Sequence, residues 1–182
     1  MMLPAYVISS RMRLDIVAGL VDGILNALIL AAGRIVGHGD APDFGLVARV
    51  SIATGLTTVL VFFLAHYAEL RAELVRAERE LNLLTHGQLA TSRLGRKALR
   101  SAAAAALVAA ACGIVGATVS LVLCIWLPGP PWVGLIAIFV LLGLLGALLA
   151  KSFYGSAIVW GISVASCGVI LAIAGVKIGI VT

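Results

Sequence analysis

Charge is scarce in this chain: of 182 residues only 12% are charged, whereas 62% are hydrophobic, and the mean hydropathy is +1.16. A soluble core of this size cannot hide that much apolar surface, so an integral membrane protein is expected and a water-soluble domain is excluded. Cysteine is equally sparse. Cys112, Cys124 and Cys167 each lie inside an apolar run, with an odd count and no CxxC spacing, which points to buried free thiols rather than a metal or redox motif. Enzyme signatures are missing too. Gly161-Ile-Ser163-Val-Ala165 lacks the last glycine of a nucleophile elbow and sits in an apolar stretch, and no glycine-rich phosphate loop occurs. No enzymatic activity and no permanently bound cofactor are therefore expected. The formal charge of +5 is not gathered into a basic domain. The basic residues border apolar runs, which suits anionic lipid headgroups and not nucleic acid.

What the chain does contain is five apolar stretches, Leu14 to Val36, Leu46 to Tyr67, Ala102 to Leu127, Trp132 to Ala150 and Gly155 to Val176. Each is near the roughly 20 residues that cross a bilayer. Lipid offers backbone groups no partner, so all five are expected to be helices, and the fold class is an all-α integral membrane protein of five transmembrane helices. The first stretch is read as a retained span and not a signal peptide, because no small-residue cleavage pattern follows it. Trp126 and Trp132 flank Pro128-Gly-Pro-Pro131, an aromatic-marked turn at one interface.

Arg11, Arg13, Arg71, Arg76, Arg79, Arg93, Arg96, Lys97, Arg100 and Lys151 fall on one side of these spans, against Arg34, Arg49 and Lys177 on the other. The positive-inside rule then predicts a cytoplasmic N-terminus and an outer C-terminus. Residues 1–182 form a single domain on this reading, with 68–100 a cytoplasmic helical extension and loop between the second and third helices. Glu69 to Leu84 has no Gly or Pro and should continue the second helix. Gly19-x-x-x-Gly23, Gly175-x-x-x-Gly179, and Ser152, Ser156, Ser163 and Ser166 on one face predict close helix packing, with a pore lining as the alternative, and the run Ala102 to Ala106 predicts close packing as well.

Polar residues inside the spans are the candidates for function. An acid at the centre of a membrane helix costs roughly 2.5–3.5 kcal/mol on insertion scales and should face protein or water. Asp22 is such an acid, and at 100° per residue it shares one face of the first helix with Asp15, Gly19, Asn26 and Gly33. A small-residue groove lined by carboxylates admits a cation. The competing expectation is that Asp22 pairs with an Arg or a backbone group and pins two helices together. On the second helix His66, Glu69, Glu73 and Glu80 lie within about 60° of one another, a spacing that suits a divalent transition metal. Arg76 shares that stripe, as it would on a solvated face with intrahelical ion pairs. His38, Asp40 and Asp43 fall in the following outer loop, where an exported ion would emerge, though ordinary turn roles are the favoured reading, and His86 beside Gly87 carries no specific signal.

Val21-Asp22-Gly23-Ile24 through Ala31-Ala32-Gly33, followed by Glu69-Leu-Arg71-Ala-Glu73 through Ala77-Glu78-Arg79-Glu80, resembles the vacuolar iron transporter family. The resemblance is good over the first helix, fair over the second and only topological from Ala102 onward. It implies a homodimer in the membrane, here expected to be a bacterial plasma (inner) membrane. It also implies an ion path at the two-fold interface lined by the first helices, and export of iron or a related divalent ion such as manganese in exchange for protons. Asp22 takes the position of the family's central transport acid. The expected path is Asp22, Asn26, Asp15, Gly19 and Gly23, and the expected metal ligands are Asp22, His66, Glu69 and Glu73. Where family members commonly carry Met and then Gly-Glu, this chain has Phe62, Ala65 and His66. The third span also lacks the family's Pro near Gly116-Ala117, and 68–100 is too short for the separate metal-binding helices of longer members. The alternative expectation is a non-transporting relative that serves as a scaffold or accessory subunit of a membrane complex.

Overall fold

The computed structural model describes residues 5–38, 42–80, 93–128, 130, 132–152 and 156–178, and these form five helices with no strand among them. They are α1 (Ala5–His38), α2 (Phe44–Glu80), α3 (Arg93–Trp126), α4 (Trp132–Ser152) and α5 (Ala157–Ile178). Among the described residues no proline falls inside a helix: Pro42 stands just before α2, and Pro128 and Pro130 lie between α3 and α4. That is where a residue lacking a backbone N–H does least harm. All five helices are long and apolar enough to cross a membrane, as an integral membrane protein requires. The outward side chains agree, since Ile52, Leu56, Leu60, Leu64, Ile162 and Ile170 are exposed.

The start of the third helix differs from the sequence expectation. Helix α2 does continue past the apolar stretch to Glu80, but α3 begins at Arg93, about two and a half turns before Ala102, so much of 93–100 is helix and not loop. The reason is local: 93–101 has only Gly95 as a weak helix former and no proline.

Helix α1 touches all four others, whereas α2 touches only α1 and α3 among the described residues. The core accordingly forms around α1, with Ile24, Leu28, Leu121, Ile138 and Leu142 fully buried from α1, α3 and α4. The contact between α1 and α3 is made by small residues. A Cβ at Gly19 would collide with the Ala109 carbonyl, one at Gly23 with the Gly113 carbonyl, and one at Gly116 would lie 2.7 Å from the Leu20 oxygen. Of the run Ala102 to Ala106 the two ends are buried and Ala104 is exposed, and Ala109 beyond it is buried as well. Between α4 and α5 the same device recurs at Gly146 and Gly161. Gly175 meets Ile29 of α1, and its partner Gly179 lies outside the described residues.

Two packing expectations are corrected. Ser156, Ser163 and Ser166 are exposed, and Ser166 Oγ donates to the Ser163 carbonyl at 2.9 Å, so these three are not buried in a helix contact within the described chain; the Ser152 side chain lies outside the described residues. The glycines hold α4 and α5 close and leave the serines turned outward. Cys124 is buried, but Cys112 is only partly so and Cys167 is exposed, all three as free thiols.

Candidate functional site

Helices α1 and α2 run antiparallel, and their polar residues meet in register. At one level Asp15 Oδ1 lies 2.8 Å from His66 Nε2. Two turns further along α1, and slightly more than two turns back along α2, Thr58 Oγ1 lies 2.6 Å from Asp22 Oδ2. Asn26 Nδ2 approaches Asp22 Oδ1 from the same helix at 3.4 Å. Beyond it Asn26, Leu30, Arg49, Val50, Ala53, Thr54 and Thr57 line a shallow groove of about 370 Å³. Two turns past Asn26 on α1, Arg34 donates to Asp43 at 2.8 Å. Asp43 also stands at the start of α2, its carbonyl accepting from the Val47 amide at 3.1 Å, a turn role as expected. The side chain of His38 and all of Asp40, His86 and Gly87 lie outside the described residues.

The result is a polar seam along one side of the bundle, backed by α3. Asp22 sits near the middle of the apolar stretch Met12–Val36 and is half-buried. Its partners are a hydroxyl and an amide, and no ion pair joins it to a cation among the described residues. The pinning of two helices anticipated for this acid is thus real, but a threonine makes it and not an arginine. Asp15 is more deeply placed, with its side chain 12% exposed.

Gly19 and Gly23 do not face this seam. Successive residues turn by about 100° around a helix, so Gly23 looks away from Asp22, and both glycines meet α3 of the same chain. Within the chain both glycines serve helix packing.

The expected metal ligands are also not gathered into one cluster. Among the described residues no three His, Cys, Asp or Glu side chains converge to hold a metal ion. Asp22 is one level removed from His66, about 10 Å along the α1 axis from Asp15, His66's partner. Glu69 does approach His66, with Oε2 3.9 Å from Nδ1, but on the opposite edge of the ring from Asp15. One ion takes one ring nitrogen, so the two carboxylates cannot both join His66 around it. Glu73 is exposed one turn further on, and the Glu80 side chain lies outside the described residues.

Sequence reasoning overlooked Thr54 and Thr58, which are 4% and 2% exposed, and Ser51, whose hydroxyl lies 2.9 Å from Thr118 Oγ1 of α3. Their spacing of three and four residues was the available signal, a hydroxyl stripe on the inner face of α2. Comparison of the chain with protein-family models, with curated proteins and with solved structures finds no match.

Proposed function

We propose that this protein exports a divalent transition-metal ion, iron or manganese, from the cytoplasm in exchange for protons, as a homodimer whose α1–α2 seams face each other. The observation that carries this reading is Asp22, a half-buried carboxylate near the middle of an apolar helix with no cation beside it among the described residues. Thr58 satisfies one of its oxygens and Asn26 only weakly approaches the other, and neither neutralises its charge. A divalent ion between two such carboxylates would neutralise both. Carboxylate oxygens and an imidazole suit iron and manganese, and a second copy would double a ligand set that one chain leaves incomplete. The basic residues at the His66 end of the seam, Arg71 to Arg100, support a cytoplasmic entrance there, with His66, Glu69 and Glu73 at its mouth. The resemblance of Asp22-Gly23 through Gly33 to vacuolar iron transporters supports the same ion class.

The test is manganese uptake into inside-out vesicles. Asp22→Asn keeps the shape and removes the charge, so uptake should collapse while expression and oligomeric state persist. An Asp22→Asn variant that transports normally would overturn the mechanism. One observation favours the second reading, a scaffold or accessory subunit: Asp15 and His66 are already paired to each other within the chain. Metal-dependent proton release from purified protein separates the two, because a scaffold releases none.

A further inference from the structure

On the basis of the transport reading, we propose that Thr58 is a positioning residue that decides which oxygen of Asp22 meets the transported ion: Oδ2 is locked to α2, and Oδ1 is left to receive the cation. The Thr58 hydroxyl has a single hydrogen and two short contacts, Asp22 Oδ2 at 2.6 Å and the Thr54 carbonyl at 2.7 Å. Hydrogen-bond supply tells where that hydrogen goes. The Thr54 carbonyl already receives the helical amide of Thr58, and it lies 2.9 Å from the Thr57 hydroxyl, whose one hydrogen it shares with the Ala53 carbonyl at 3.1 Å. Oδ2 has no other donor among the described residues, and a bond to a charged acceptor is the stronger one. The hydrogen therefore belongs to Asp22.

The lock is also stiff. Thr58 is 2% exposed, its β-branched side chain has few rotamers, and it is backed by Gly113 of α3, where a Cβ would sit 3.3 Å from Thr58 Oγ1. Oδ1, by contrast, has among the described residues only Asn26 at 3.4 Å, beyond the usual range of an N–H to oxygen bond. An incoming ion displaces a weak contact at Oδ1 and leaves the strong one at Oδ2, so the carboxylate binds through one oxygen, in an orientation set by α2. Thr58 touches no ion itself.

Reconstituted vesicles loaded through manganese uptake test this. Thr58→Val keeps the shape and deletes the hydrogen, so the half-saturating manganese concentration should rise about tenfold, the equivalent of one charge-assisted hydrogen bond near 1.4 kcal/mol. The maximal rate should fall far less. Thr58→Ser, which restores the hydroxyl, should recover most of the lost affinity. If the valine variant does not accumulate, Thr58→Ala reads the same loss without the added methyl group. Equal falls in affinity and maximal rate, no change in either, or a serine variant that behaves like valine would overturn the positioning role while leaving transport intact. Wild-type vesicles that take up no manganese would overturn the transport reading and this inference with it.

Discussion

The two sides of α1 are built on opposite principles. Toward α3 the helix presents Gly19 and Gly23 to the carbonyls of Ala109 and Gly113, a contact of backbone on backbone with almost no side chain between. Toward α2 it presents Asp15, Asp22 and Asn26 to His66, Thr58 and a groove lined by Arg49, a contact of polar tips with space left over. Close packing is the main source of helix association in lipid, where burial of apolar surface drives nothing. The α1–α3 side therefore supplies cohesion, and the α1–α2 side is free to carry groups whose burial is costly. A membrane protein can hold an acid at mid-helix because a neighbouring face does the holding.

The contrast breaks most visibly at Gly23. Any side chain there strikes the Gly113 carbonyl, so Gly23→Leu must push α1 and α3 apart, at about 3 kcal/mol or more. Thermal unfolding in detergent and the yield of monodisperse protein should both drop sharply. Asn26→Ala, one turn away on the polar side, loses only a 3.4 Å hydrogen bond and should change stability by less than about 1 kcal/mol. Comparable losses in the two variants would mean that the polar seam, too, holds the bundle together.

A smaller effect is expected at the Asp15–His66 pair, which sharpens the comparison from the polar side. Asp15→Ala or His66→Ala alone should cost about 1.5–3 kcal/mol, because each leaves a partly buried partner short of a charged hydrogen bond. The double variant should cost little more than the worse single one, since both remove the same contact. Strictly additive losses, measured by thermal unfolding, would show that the two side chains do not pair.

Much of this was legible in the residues. Five apolar runs near bilayer length, the continuation of α2 to Glu80 and the proline-marked turn after Trp126 follow from composition and from the absence of breakers. The helical face of Asp15, Asp22 and Asn26 also follows from 100° per residue. What one helix cannot show is its neighbour's register. Once Asp15 meets His66 in an antiparallel pair, two turns along each helix lead from Asp22 to Thr58, but nothing in α1 alone names α2 as the partner of its acids or α3 as the partner of its glycines. The Gly19-x-x-x-Gly23 pattern says only that something comes close, and a helix of the same chain satisfies it as well as a second copy. The serines of α5 failed for the converse reason, since a small-residue stripe is equally at home against lipid.

That stripe carries the smallest expected effect. Ser166 Oγ bonds back to the Ser163 carbonyl of its own helix, and both residues are exposed, so neither hydroxyl stabilises a contact within the described chain. A side chain that returns to its own helix gives up little when removed, because the carbonyl keeps its helical amide donor. Ser163→Ala with Ser166→Ala should therefore shift stability by no more than about 0.5 kcal/mol, in keeping with outward positions free of special features. The comparison extends naturally to this face. If α5 packs against a second copy instead of lipid, the paired alanines would leave the melting temperature of the single chain unchanged but alter the oligomeric state seen by light scattering in detergent. An unaltered oligomer assigns the face to lipid and leaves the α1–α2 seam as the polar surface available to a second copy.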